Sequence, residues 1–523
     1  MQLYTIAFIA FILVSFAFYY GVGRIARRGQ WIVLLVASLV FYWFCGWQNL
    51  LFIGLTALST WLAGRAFGSL EQRSKKERKA CEDRAQKKEI KKRYTTRKRL
   101  VLAAVLLVNF GVLSYIKYAD VLVHAIAPHN GWSAGILLPL GISFYTFQSA
   151  SYVIDTYNAK YEPEGSFWRY LLFVSFFPQL IQGPINRFDS LASQLYETRS
   201  FDFKESRKAL LQIGYGLLKK FVLANILIKA VNPILDHVDP GMPGSLIVCG
   251  ILFYAVYQYA DFSGGIDLVL GVARLFGIRM SENFKQPYFS VSLGDFWRRW
   301  HITLGAWMRD YVFYPFALLP GIQKWGKWLT GKCGKHLGRT VPACVANILV
   351  FFIVGLWHGA ESHFILWGLY NGIVIAASDL LSPLWDKLNE ALHVNMEGKA
   401  HRVFCIVRTF VVVNIGWYFD RIERAGDLLQ AFHNTLFNFS SDLLVTAWHM
   451  NGVPTQKPAW AFIAVSCVFV FVISVLKERG VDVEERILAL PLIVRAVLYT
   501  AVMTLVISSF AFAAQGGFMY ANF

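Results

Sequence analysis

Charge is scarce in this chain: 16% of its 523 residues are Asp, Glu, Lys or Arg, against 56% hydrophobic and 16% aromatic. That balance excludes a soluble multidomain protein and a disordered chain. A mean hydropathy of +0.44 fits a protein solvated by lipid. The seven cysteines (Cys45, Cys81, Cys249, Cys333, Cys344, Cys405, Cys467) form no CxxC pair. Neither a disulfide framework nor a metal site follows from them, and no bound metal or cofactor is expected. Soluble-enzyme signatures are missing too, with no GxSxG elbow, no HExxH and no GxGxxG after a strand. The stretch from Gly326 to Lys332 approaches a phosphate-binding loop, but Cys333 stands where a Ser or Thr should hold magnesium and no strand precedes it. There is no internal repeat.

What the chain does have is apolar runs of membrane-crossing length, which need about 20 residues each. The first, Leu3 to Val22, lacks a charged leader and a small-residue cleavage site, so it reads as a retained span. Further runs cover Trp31 to Phe44, Leu50 to Phe67, Leu100 to Tyr118, Ile136 to Ile154, Ala209 to Val231 and Ser245 to Tyr259. Five more follow: Val341 to Leu356, Phe364 to Leu381, Phe404 to Tyr418, Ala459 to Val475 and Leu488 to Phe512. The stretch Tyr170 to Ile185 has basic flanks at both ends and two prolines, Pro178 and Pro184, so it is expected to be a broken, re-entrant segment lining a cavity. The fold expected is an all-α polytopic membrane protein, one membrane-embedded domain over residues 1–523.

The net charge of +18 is concentrated. Between Ser69 and Arg99 fourteen basic residues stand against five acidic ones, a net +9 in what reads as a cytoplasmic loop. Such a run lies against anionic headgroups more readily than against nucleic acid, so membrane lipid is the expected partner and nucleic acid is not. Twelve crossings with this loop inside put both termini outside.

Three polar clusters interrupt the apolar background. In Ser290 to His301, Ser292 and Asp295 have capping-box spacing, which predicts a helix start there. Carried on as one helix, it places Trp297, Trp300, His301, Leu304, Met308 and Tyr311 on one face. An interfacial amphipathic helix would explain the aromatics, but the histidine is left over. A second histidine ends an apolar span in Gly355-Leu-Trp357-His358-Gly359, and ionisable groups at membrane depth are expensive and usually functional. The flanking glycines, which admit close approach of backbone or substrate, favour His358 over the neighbouring His363. The third cluster, Tyr259-Ala-Asp261-Phe-Ser263-Gly-Gly-Ile-Asp267, supports either a cation or proton path or structural capping by Asp261 and Ser263 at a helix break.

Trp300-His301, Gly355-Leu-Trp-His358-Gly359, Pro139 to Phe147, Phe177 to Pro184 and Asp261-Phe-Ser263-Gly264 resemble, in order and spacing, the membrane-bound O-acyltransferase family. The resemblance runs from about residue 30 to the C-terminus and is greatest to the alginate and peptidoglycan O-acetyltransferase membrane subunits. It implies a ring of tilted helices around a tunnel, a catalytic role for His358 and a second role for His301. Trp357, Trp300, Arg298, Asp261, Ser263 and Gln179 then become tunnel or substrate-binding positions. Gln148 and Gln179 stand where the family often carries His or Asn. The C-terminus, residues 518–523, is similar to a Phe-x-Tyr-x-x-Phe relay tail, with Phe518, Tyr520 and Phe523 in register. On this resemblance the donor would be cytoplasmic acetyl-CoA, its phosphates attracted by Arg298, Arg299, Lys324 and Lys327. The acetyl group would pass through Tyr520 to a hydrolase-like extracytoplasmic transferase subunit and on to a cell-envelope polysaccharide, from a bacterial cytoplasmic membrane. D-alanyl transfer from a carrier protein, and an ion-coupled transporter using Asp261 and Asp267, are the alternatives.

Overall fold

The computed structural model describes residues 5–126, 139–440 and 457–511, so the proposed relay tail with Phe518, Tyr520 and Phe523 lies outside the described residues. Apart from one isolated bridge, Phe284 to Trp300, the described secondary structure is entirely helical. Among the described residues nine helices are long and apolar enough to cross a membrane, or ten if the bent pair Ser362–Leu380 and Ser382–Ala391 is one span. The protein is a multi-pass membrane protein. Two of the twelve expected crossings differ. Gln30–Phe44 has 15 residues, which at 1.5 Å each reach about 22 Å of a hydrocarbon layer of about 30 Å. The described part of the Ile136 run is the 16-residue helix Ile142–Tyr157.

The described residues fall into two compact units, one within Met1–Ile213 and Val269–Ser281, the other within Gly214–Leu268 and Glu282–Gly516. In the first unit the helices are α1 (Ile6–Ile25), α2 (Gln30–Phe44), α3 (Gln48–Ala80), α4 (Arg84–Ile126), α5 (Ile142–Tyr157), α6 (Phe167–Ser175), α7 (Phe177–Gln182) and α8 (Phe188–Tyr196). Thr5 caps α1 by accepting from the Phe8 amide at 3.2 Å. Ile6, Ile9, Leu13, Val14 and Phe18 stay exposed along α1, the apolar face a lipid-solvated helix needs.

The basic segment 69–99 is not a loop. Both α3 and α4 run through it and only residues 81–83 break the helix, because Lys, Arg, Glu, Gln and Ala are strong helix formers. Asp83 accepts from the Ala85 and Gln86 amides to start α4. Glu71 pairs with Lys98 at 2.9 Å, while Glu77 accepts from Arg93 and from Tyr94, tying the two helices together.

α5 shows no lipid face: fourteen of its sixteen residues are buried, among them Ser143, Thr146, Gln148, Ser149, Ser151 and Thr156. It is an interior helix. The following apolar stretch is broken as expected, but not by its prolines. The break falls at Phe176, Pro178 sits in the first turn of α7 where a missing N–H costs nothing, and Pro184 follows the end of that helix. The carbonyl freed at Phe173 accepts from Gln179 Nε2 at 2.6 Å and Gln148 Nε2 at 3.1 Å. Side chains thus satisfy broken backbone where water is scarce.

The second unit begins where α9 (Phe203–Leu217) passes into a π-helical stretch, Leu218–Ala224, and then α10 (Asn225–Leu235). It continues through α11 (Gly244–Leu275), α12 (Leu293–Arg299), α13 (Ile302–Met308), α14 (Tyr314–Ala317), α15 (Pro320–Cys333), α16 (Lys335–His358) and α17 (Ser362–Leu380). The segment resembling a phosphate-binding loop is the exposed helix α15. α16 and α17 form an antiparallel pair whose backbones touch: a Cβ on Gly355 would lie 2.5 Å from the Phe364 carbonyl, and one on Gly368 would collide with that of Phe351. The glycine before His358 therefore admits a helix, not a substrate.

Candidate active site

α12 starts as its spacing predicts, with the Asp295 amide donating to Ser292 Oγ at 3.1 Å. It does not continue through His301. Trp300 is extended and His301 is left-handed, at φ 45° and ψ 52°, before α13 begins at Ile302. A non-glycine residue there is strained and must be held by its surroundings. The hold is a strand-like pairing: the Lys285 amide donates to the Arg299 carbonyl at 2.9 Å, and the Ile302 amide to the Asn283 carbonyl at 3.0 Å. The one-face arrangement expected of a continuous helix is therefore lost, although Trp300, His301, Leu304 and Met308 are all buried.

The Asn283 side chain settles the state of the His301 ring. Its Oδ1 accepts from the Thr303 amide at 3.0 Å and from Thr303 Oγ1 at 2.9 Å, and lies 3.3 Å from His301 Nδ1. An atom that accepts from a backbone N–H is an oxygen, so the facing Nδ1 must carry the hydrogen. In the neutral ring that leaves Nε2 as the basic nitrogen.

Aromatic rings wall this imidazole. Phe262 meets it edge-on at 4.9 Å and Trp357 at 6.2 Å. Trp357 also lies 4.9 Å from the ring of His358, so one indole adjoins both imidazoles. His358 ends α16, buried between Trp357, Trp367 at 5.1 Å and Phe364 stacked at 5.7 Å. His363 is buried as well, its ring against Phe364, at the second position of α17. Trp300 packs between Phe284, Phe296 and Trp417 at 5.0 to 5.5 Å. Among the described residues no group of three or more His, Cys, Asp or Glu is placed to hold a metal ion.

Asp261 and Ser263 are not caps, because α11 runs unbroken through them. They face two residues that the sequence reading passed over, Lys219 and Lys220 of the π-helical stretch. Lys220 Nζ pairs with Asp261, while Lys219 Nζ donates to Ser263 Oγ at 2.8 Å and pairs with Asp267 at 2.6 Å. Lys219, Lys220, Asp261 and Ser263 are buried and Asp267 nearly so. The signal was present as adjacent lysines in the middle of a 33-residue apolar helix, where an ionisable group calls for a partner. The cation path, one of the two readings of this cluster, would thus find both carboxylates already paired with lysine ammonium groups.

Of the cations expected to attract a donor, Arg298 is exposed and 3.6 Å from Asp295, whereas Arg299 is committed to Asp295 and Glu478. Lys324 and Lys327 are exposed along α15. Gln179 is held in the first unit by the carbonyls of its own helix break and by Asn186 Nδ2 at 3.3 Å.

Residues 39–326 match the membrane-bound O-acyltransferase family. The chain belongs to this family. The matched stretch contains Asp261, Ser263, Asn283 and His301 and ends before His358. Among curated proteins the chain is 31% identical to the probable alginate O-acetylase AlgI of Pseudomonas aeruginosa, over 82% of this chain and 74% of that one. It is 29% identical to the peptidoglycan O-acetyltransferase of Helicobacter pylori, over 64% of each. It is 29% identical to the teichoic acid D-alanyltransferase of Bacillus subtilis, over 56% of this chain and 69% of that one. The protein is therefore an O-acyltransferase embedded in a membrane, as its motifs suggested.

Proposed function

We propose that this acyltransferase takes an acetyl group from cytoplasmic acetyl-CoA and delivers it across a bacterial cytoplasmic membrane for O-acetylation of a cell-envelope or secreted polysaccharide. The observation that carries the reading is the pair of buried imidazoles either side of Trp357, His301 having its Nδ1–H directed at Asn283. A neutral imidazole is the base that a hydroxyl nucleophile requires near neutral pH.

In the proposed step His358 takes the proton of the acceptor hydroxyl, and the oxygen forms a bond to the thioester carbonyl carbon. The tetrahedral adduct collapses with cleavage of the C–S bond. The coenzyme leaves as thiolate and recovers the proton from the imidazolium, so the enzyme returns neutral. His301, positioned by Asn283, orients or polarises the reacting groups from across the indole. Arg298, Lys324 and Lys327 supply positive charge for the donor phosphates. Tyr520 is the proposed acceptor hydroxyl, flanked by Phe518 and Phe523, and a hydrolase-like extracytoplasmic subunit takes the acetyl group from it to the polymer. Both chain termini are placed outside the cell and the helical hairpin of α3 and α4 inside, an orientation that requires the short helices α2 and α5 to complete their crossings where the bilayer thins around them.

The names of the AlgI and peptidoglycan relatives favour acetyl as the acyl group, and the pairing of Asp261 and Asp267 with lysines removes the cation site on which a transporter reading depended. The test is reconstitution with radiolabelled acetyl-CoA and with D-alanyl carrier protein in parallel. Label transferred from acetyl-CoA supports the proposal. Transfer from the carrier alone replaces the donor, and transfer from neither overturns it.

A further inference from the structure

Seven cations line a cleft of about 700 Å³ between the polar ends of α3 and α4: Lys75, Arg78, Lys79, Arg84, Lys87, Lys88 and Lys91. No carboxylate is among the lining residues. Of the five acidic side chains of the hairpin, Glu71 and Glu77 tie the two helices lower down through Lys98, Arg93 and Tyr94, Asp83 caps α4, and Glu82 and Glu89 are exposed outside the lining. Arg78 is 3.9 Å from Glu71, and Lys75 also lies within electrostatic reach of that carboxylate; the other five form no ion pair among the described residues. Like charges gathered in a concavity repel one another, and an anion seated among them relieves that repulsion.

Size and height narrow the anion. A volume near 700 Å³ lies in the range of small-molecule sites, roughly 300–1,000 Å³, and its cationic lining suits phosphate groups. Lys79 lies twelve residues beyond Phe67, the end of the apolar part of α3, and Lys88 twelve residues before Leu100, where that of α4 begins. Both helices are unbroken there. At 1.5 Å per residue the cleft stands about 18 Å past the apolar segments, or about 14 Å at a tilt of about 40°. The headgroup layer is only about 5–7 Å deep on each side. The cleft therefore opens to the aqueous phase beyond the lipid phosphates.

We infer that this cleft binds a soluble small molecule carrying two or more phosphate groups, the chemistry of a phosphorylated nucleotide. The inference is independent of the acyl-transfer reading, since it concerns the first unit alone and is tested by binding.

The test uses the full-length protein in zwitterionic nanodiscs and inorganic tripolyphosphate as probe, followed by calorimetry at 150 mM salt. One-site binding is expected, weakened at least tenfold by Lys79→Gln/Lys87→Gln/Lys88→Gln and kept within about threefold by the same three changes to Arg. Unfolding of each variant without probe confirms that the hairpin is intact. Probe binding absent from the wild type, or unchanged in the Gln variant, overturns the inference. A third arm repeats the titration in nanodiscs rich in phosphatidylglycerol. At this salt the screening length is about 8 Å, so binding should persist within about twofold. Its abolition there would show that lipid headgroups fill the cleft and would overturn the assignment to a soluble ligand.

Discussion

His301 Nδ1 lies 3.3 Å from Asn283 Oδ1, an atom fixed as oxygen by the Thr303 amide that donates to it. The ring sits on a left-handed residue between two short helices, so its direction depends on this contact and on the pairing around Trp300.

Asn283→Ala is therefore expected to lower kcat about 10- to 100-fold, the usual scale for losing a residue that orients a functional histidine, with KM little changed. The pH profile of kcat/KM should move as well, because the freed ring can protonate on either nitrogen. Asn283→Asp keeps an acceptor and should recover part of the rate. Wild-type kcat in the alanine variant, or a lowered rate with an unmoved profile, would reduce Asn283 to a packing residue.

The Lys220–Asp261 pair makes a prediction about stability. Lys220→Met leaves the fully buried Asp261 without its cation, which costs about 3–5 kcal/mol. Lys220→Met/Asp261→Leu removes both charges and should recover most of that loss. Thermal unfolding in detergent reads both variants. A double variant as unstable as the single one would mean that Asp261 serves something besides Lys220.

Contact between α16 and α17 should be sensitive to a single methyl group. Gly368→Ala drives a Cβ into the Phe351 carbonyl, and overpacking of this kind costs about 1–3 kcal/mol and displaces the end of α16 that carries His358. Gly426→Ala, with open space around it, is the control and should be silent. Equal acyl transfer in the two variants would show that the helix contact does not position the histidine.

For the terminal hexapeptide the informative change is Tyr520→Phe, which keeps the ring and removes the hydroxyl. Polymer acetylation should fall almost to the level of a His358 variant, whereas Phe518→Ala and Phe523→Ala should lower it only in part. Wild-type acetylation with Tyr520→Phe would remove the relay and leave direct transfer from the histidine site.

Much of the site was legible in the sequence because its chemistry is local. His358 and Trp357 are adjacent, Ser292 and Asp295 announce their own cap, and a histidine among aromatics stands out against an apolar background. What was not legible depended on tertiary contact. Asn283 lies eighteen residues from His301 and carries no motif of its own. Lys219 and Lys220 find partners more than forty residues away on α11, which turned an expected helix break into a continuous helix held by ion pairs. Helix propensity misled in the other direction, since positive charge read as a loop where Lys, Arg and Glu were building a hairpin. The break within Trp300 and His301 had no proline or glycine to mark it, and only the pairing with residues 283–285 accounts for it.

The most direct test of the account is acyl transfer by the purified protein with His358→Ala, followed as radiolabel leaving acetyl-CoA. Transfer is expected to fall to background in a protein that still purifies and unfolds as the wild type does, with His363→Ala retaining most of the activity. Comparable activity in the wild type and His358→Ala, or equal losses from His358→Ala and His363→Ala, would contradict it.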